Sequence, residues 1–142
     1  MRRTMTLLLG ISLGTLLTLP LPALAQTAVQ DVKQKAVDAA ESIRTFTVDR
    51  KDDAVAQAKK LARDLDGKIK QLEAKAKKTT GESKAKSDQL LKDLKEKRAK
   101  TSQKLAELGK ASGAAWDNAK HGFADAYHDL AESFEKAAAS FK

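Results

Sequence analysis

"KKTTGESKAK", residues 77–86, is the stretch whose reading decides the fold of this chain. Before it, Val55, Ala58, Ala62, Leu65, Ile69, Leu72 and Ala76 step by threes and fours. After it, Ser87, Leu91, Leu94, Arg98, Thr101, Leu105 and Leu108 do the same. Such stepping places each series on one helix face. The two series mirror each other about Gly81: Ala76 with Ser87, Leu72 with Leu91, Ile69 with Leu94, and Leu65 with Arg98. An antiparallel hairpin turning at 79–83 would set the two faces against each other. Gly81 suits the position just past a helix, and the lysines before it suit a last turn. The alternative is one continuous helix over 54–110. Residues 65, 76, 87 and 98 are eleven apart, so the phase also runs through the glycine, which costs only about 1 kcal/mol in a helix interior. That helix would be about 85 Å long and could bury its stripe only against another chain. The hairpin is the preferred reading.

Toward the N-terminus, Val29, Val32, Ala36, Ala40, Ile43 and Phe46 predict an amphipathic helix over 27–47. "TFTVDRKDD" (45–53) then gathers β-branched residues and charges, which predicts a break with Asp49 or Asp52 as N-cap. Further back, Arg2 and Arg3 precede an apolar run from Met5 to Leu19, and "PLPALAQ" places Ala23 and Ala25 before Gln26. This is the pattern of a secretory signal peptide cleaved near Ala25/Gln26. The run is short for a membrane span. The paired arginines lack the rest of a twin-arginine pattern, and no Cys follows the cleavage site for lipid attachment. The expected location is therefore periplasmic or secreted.

Toward the C-terminus, "LGKASGAAW" (108–116) is a second break, with Ser112 as N-cap of a last helix over 113–141. That helix repeats every eleven residues: Trp116 matches Tyr127, Phe123 matches Phe134, and Ala119, Leu130 and Phe141 form one series. At 3.67 residues per turn such a stripe stays on one face. With Ala119 at zero and about 100° per residue, the apolar stripe, with Phe123, Leu130, Phe134 and Phe141, spans about −40° to +60°, with Trp116 and Tyr127 at its edge. The candidate interaction face is thus Trp116, Phe123, Tyr127, Leu130, Phe134 and Phe141. It reads first as a core seam and second as a membrane or partner-docking face. His121, Asp125 and His128 could offer metal ligands, but they fall near 180–240° in the solvated face with no pocket behind them. No metal site is expected.

Composition agrees with helices. Residues 26–142 hold no Cys and no Pro, and Ala, Lys, Leu, Glu and Arg make up 64 of these 117 residues. Leu, Ile, Val and Phe number only 20, few for an ordinary globular core. Charge is segregated: residues 26–53 are net −1, 54–113 net +9 and 114–142 net −2. The expected fold is all-α: an elongated helical hairpin or coiled-coil rod with an additional C-terminal amphipathic helix and no compact globular core. Its parts are a signal peptide (1–25), an N-terminal amphipathic helix (26–48), a basic coiled-coil segment (49–111) and an aromatic-rich amphipathic helix (112–142).

The arm "IKQLEAKAKKTTGESKAK" (69–86), the junction "LAELGKASGAAWDNAKHGFADAYHDL" (105–130) and the export signal resemble a group of small, exported, uncharacterised bacterial helical proteins. The eleven-residue period is similar to apolipoprotein-like amphipathic repeats. Neither resemblance implies catalytic or ligand residues. No nucleophile motif, phosphate loop or Cys is present, so no enzyme activity and no cofactor are expected. The expected role is a non-enzymatic structural or interaction protein of the cell envelope. The alternative is a peripheral membrane or lipid-binding protein acting through the last helix. Expected partners are a second copy, envelope proteins, lipid or anionic envelope polymers. Nucleic acid is not expected, because export separates the two and no aromatic interleaves the lysines of 54–113.

Overall fold

The computed structural model describes residues 22–141, with side chains from Asp31 onward except that of residue 32. The expected export segment, save the backbone from Pro22, lies outside the described residues. So do the side chains of Val29 and Val32. Four helices follow in order: α1 Pro22–Arg44, α2 Lys51–Ala76, α3 Glu82–Lys110 and α4 Trp116–Ser140. A 3-10 turn, Val48–Arg50, leads into α2. No strand occurs among the described residues.

Each helix runs antiparallel to its chain neighbour, and α4 returns alongside α1. Gln57 Nε2 donates to Ser42 Oγ at 3.0 Å between α1 and α2. Arg98 pairs with Asp66 between α2 and α3. Thr101 Oγ1 contacts the Ala126 carbonyl at 3.0 Å between α3 and α4. Lys33 faces Glu135 at 3.7 Å between α4 and α1. The chain is thus an up-down-up-down bundle. Helix α4 is its most embedded member, packed on both α3 and α1.

The hairpin is formed, but Gly81 plays a different part from the expected one. Helix α2 closes at Ala76 with Lys77 as its C-cap, and its last carbonyls are used by the amides of Lys77, Lys78 and Thr79. Gly81 instead stands immediately before α3, at φ 73° and ψ −151°. Only glycine adopts that region without strain.

Other boundaries differ from expectation. Neither Asp49 nor Asp52 caps a helix. Thr47 in extended conformation precedes the 3-10 turn, and Arg50 precedes α2, without a side-chain cap bond at either place. Ser112 does not cap α4 with its side chain. Its carbonyl accepts from the Ala115 amide at 3.0 Å, and the helix starts at Trp116. In both places a turn closed by a backbone hydrogen bond leads into the helix, with no side-chain cap.

The expectation of no compact core is corrected. Buried residues from all four helices form one contiguous cluster, from Ala36, Ala40 and Ile43 through Ala58, Leu65 and Ile69 to Leu94, Leu108 and the aromatics of α4. Large aliphatic side chains are few, as counted. Alanine at seam positions lets helix axes approach, so less side-chain volume fills the space between them.

Candidate functional site

The face singled out on the last helix is inside the bundle. Phe123 is fully buried, Trp116 and Leu130 are 2% exposed, Tyr127 and Phe134 are under 10%, and Phe141 is half-buried. The buried arc is also wider than the expected stripe. Ala126 and Ser133 lie within the stripe at its far side, and Ala124 and Ala131 widen the buried arc to about 120–140° on the other. The cause is a central position. The side near Ala126 meets α3, and the side of Ala124 and Ala131 lies toward α1. The aromatic stripe between them turns toward α2, where Tyr127 lies beside Leu61, Asp64 and Leu65. Sequence periodicity located the stripe. It could not find the flanking alanines, which are as common on exposed helix faces as on buried ones.

The polar tips of the aromatics are built in. Trp116 Nε1 donates to the Phe46 carbonyl at 3.0 Å, and Lys120 Nζ donates to the same oxygen at 3.2 Å. The two donors anchor the segment joining α1 to the 3-10 turn. The Arg50 guanidinium lies 5.3 Å from the Phe46 ring centroid. Phe123 and Tyr127 stack with centroids 6.0 Å apart. Burial, and then the charge of Asp64, push the Tyr127 phenol up to about 12.

His121 and Asp125 are exposed, yet they are not idle. Arg44 at the end of α1 reaches both, with Nη1 donating to His121 Nδ1 at 3.0 Å and Nη2 to Asp125 Oδ1 at 2.5 Å. Its Nε also lies 3.1 Å from Glu41. The guanidinium can only donate, so His121 Nδ1 is the acceptor of this bond. His128 is half-exposed and stands outside this cluster. Among the described residues, no group of three or more His, Asp or Glu is gathered so as to hold a metal ion. No helix among them is long and apolar enough to cross a membrane.

The hairpin carries the charge. Lys75, Lys77, Lys78, Lys84 and Lys86 are exposed around its turn, against one acidic residue, Glu82, in the same stretch. Only Lys84 among these lysines has an ion-pair partner among the described residues, Asp88 at 2.8 Å. The end of α4 reaches this place. A shallow groove of about 310 Å³ is lined by Lys75, Lys78, Thr79, Ser83, Ser140 and Phe141. Phe141 is thus the member of the expected face that lies at the lysine-rich turn. Sequence alone showed the basic run, but not that the chain's last aromatic meets it. Compared with protein families, curated proteins and solved structures, the chain matches none of them.

Proposed function

We propose that this chain is an exported, non-enzymatic helical protein of the cell envelope that works as a structural or interaction module, with the lysine-rich turn of the α2–α3 hairpin as its contact surface for anionic envelope components. The observation that carries the reading is the exposed cluster Lys75, Lys77, Lys78, Lys84 and Lys86 around one turn. Such a cluster attracts phospholipid head groups or acidic polymers, and does so less as salt rises. An elongated shape belongs to this proposal. Helices of 26 and 29 residues are about 39 and 44 Å long. The signal-like N-terminus supports export.

The test is co-sedimentation with vesicles of graded anionic content at low and physiological salt. Binding should grow with anionic content, fall with salt, and weaken when the five lysines are changed to Gln. Equal binding to zwitterionic vesicles, or none to any, would refute the contact surface. Recovery of the protein in the cytosolic fraction of its host would refute export. The second reading, lipid binding through α4, has the concentration of Trp116, Phe123, Tyr127 and Phe134 on one helix in its favour. Because that face is packed, it requires the bundle to open on the lipid surface.

A further inference from the structure

Helices α2 and α3 do not close on each other along their whole length. A cleft of about 370 Å³ opens between them midway, lined by Lys59, Ala62, Arg63, Asp66 and Ile69 from α2, Arg98, Thr101, Ser102 and Leu105 from α3, and Leu130 from α4. Its origin is visible in the heptad-like seam of α3. The positions between Leu94 and Leu105 are filled by Arg98 and Thr101 instead of large apolar residues. Arg98 turns outward to Asp66. Thr101 turns inward, with its hydroxyl against the Lys97 and Ala126 carbonyls. Neither fills the gap.

The cleft is two-faced. Its floor is apolar, with Ile69 and Leu130 buried and Ala62 and Leu105 half-buried. Its rim is cationic. Asp66 is already engaged by Arg98 and by Lys70 at 3.2 Å. Lys59 and Arg63 are exposed and have no ion-pair or hydrogen-bond partner among the described residues. The four charged groups that line the cleft, Lys59, Arg63, Arg98 and Asp66, sum to a positive rim. The volume lies within the range of small-molecule sites, ~300–1,000 Å³.

We propose that this cleft binds a single-chain anionic amphiphile, a medium-length alkyl group carrying a carboxylate or phosphate head. The alkyl chain lies on the open parts of Ala62 and Leu105 and along the stems of Lys59 and Arg63, above the closed Ile69 and Leu130, and water is excluded from both partners. The head sits at the rim, where Arg63 offers a planar fork for a carboxylate or phosphate and Lys59 offers a point charge. Ser102, exposed on the opposite wall, supplies a hydroxyl. The site is separate from the lysines of the hairpin turn, and it does not rest on the reading of that surface.

The test is calorimetric titration of the purified protein with decanoate, decyl phosphate and decyltrimethylammonium, each kept below its micelle-forming concentration. The proposal expects saturable binding of at least one of the two anions, with the tighter one identifying the head group, and no binding of the cation. Lys59→Gln with Arg63→Gln removes two exposed charges, and should weaken anion binding at least about tenfold while helix content is unchanged. Ala62→Leu, which keeps every charge and narrows the floor, should also weaken it. Equal binding of anion and cation, saturable binding indifferent to both variants, or no saturable binding would overturn the proposal. Anionic vesicles added to Lys59→Gln/Arg63→Gln separate the two surfaces, because contact through the hairpin turn survives in that variant.

Discussion

Asp66 on α2 and Arg98 on α3 form an ion pair across the hairpin, at places nearly equidistant from its turn. The pair fixes the register in which the two seams meet, with Ile69 and Leu94, both fully buried, lying next to it on the side of the turn. A continuous helix would put the same two residues roughly 48 Å apart. With cysteines at 66 and 98, a short bis-maleimide should therefore link the two positions within one chain. Only inter-chain products, or none, would overturn the hairpin. The pair itself contributes little stability. Both side chains are partly exposed, and Asp66→Asn should cost no more than about 1 kcal/mol.

Gly81 offers a test in which the two architectures predict opposite signs. In the hairpin its backbone is at φ 73° and ψ −151°, and an added Cβ meets nothing within 4 Å. The penalty for Gly81→Ala is then pure backbone strain, about 1–3 kcal/mol. In an unbroken helix the same change would stabilise by about 1 kcal/mol, since Ala is the better helix former. A melting temperature that falls supports the turn. One that rises would sink it.

Ser87, Arg98 and Thr101 show how far the pattern could be read. Spacing alone puts each of them in the seam of the second arm. Ser87 and Thr101 are indeed buried, with their hydroxyls bonded to the carbonyls four residues earlier. Arg98 sits half-buried at the seam's edge, where its guanidinium meets Asp66. Period and mirror symmetry made the helices, the turn and the apolar stripe of α4 legible. They could not reveal that four helices share one core, because alanine marks a buried seam and a solvated face alike. The grip of Arg44 on His121 and Asp125 was equally invisible, being a contact between helices far apart in the chain. Thr101→Val tests a buried hydroxyl that joins α3 and α4. Loss of its contact to the Ala126 carbonyl should cost about 0.5–1.5 kcal/mol in denaturant melts. No change would mean that the hydroxyl adds nothing net to the packing of α3 on α4.

Phe123 decides between core and docking face. It is fully buried and stacked on Tyr127. Phe123→Ala should cost about 3–5 kcal/mol, a large part of the stability of a bundle this size. If α4 also serves a lipid surface by opening, the same variant would lose vesicle binding as well as stability, so binding at a temperature where the variant is still folded is the deciding readout. Trp116 fluorescence supplies the second readout. Its ring is buried, and its emission should shift to the red if the bundle opens on vesicles. An unchanged spectrum with bound vesicles supports contact through the hairpin turn.

Tyr127 gives the bundle a pH limit that can be read directly. It is the sole tyrosine of the chain, so the phenolate band reports it alone. Burial is the main cause that raises its ionisation to about 12, and the nearby Asp64 carboxylate adds to it. The unfolded chain ionises near the ordinary value of 10. Between these two values the unfolded state has released a proton that the folded state still holds. The contribution of Tyr127 to stability is therefore intact below about pH 10 and is lost as pH rises from there toward 12, by the linkage of proton uptake to folding. A spectrophotometric titration of the folded protein should show little phenolate at pH 10.5, and Asp64→Asn should bring the midpoint down. A midpoint near 10 in a protein that is still helical would mean that Tyr127 is open to water, and that the packing of α4 against α2 is wrong.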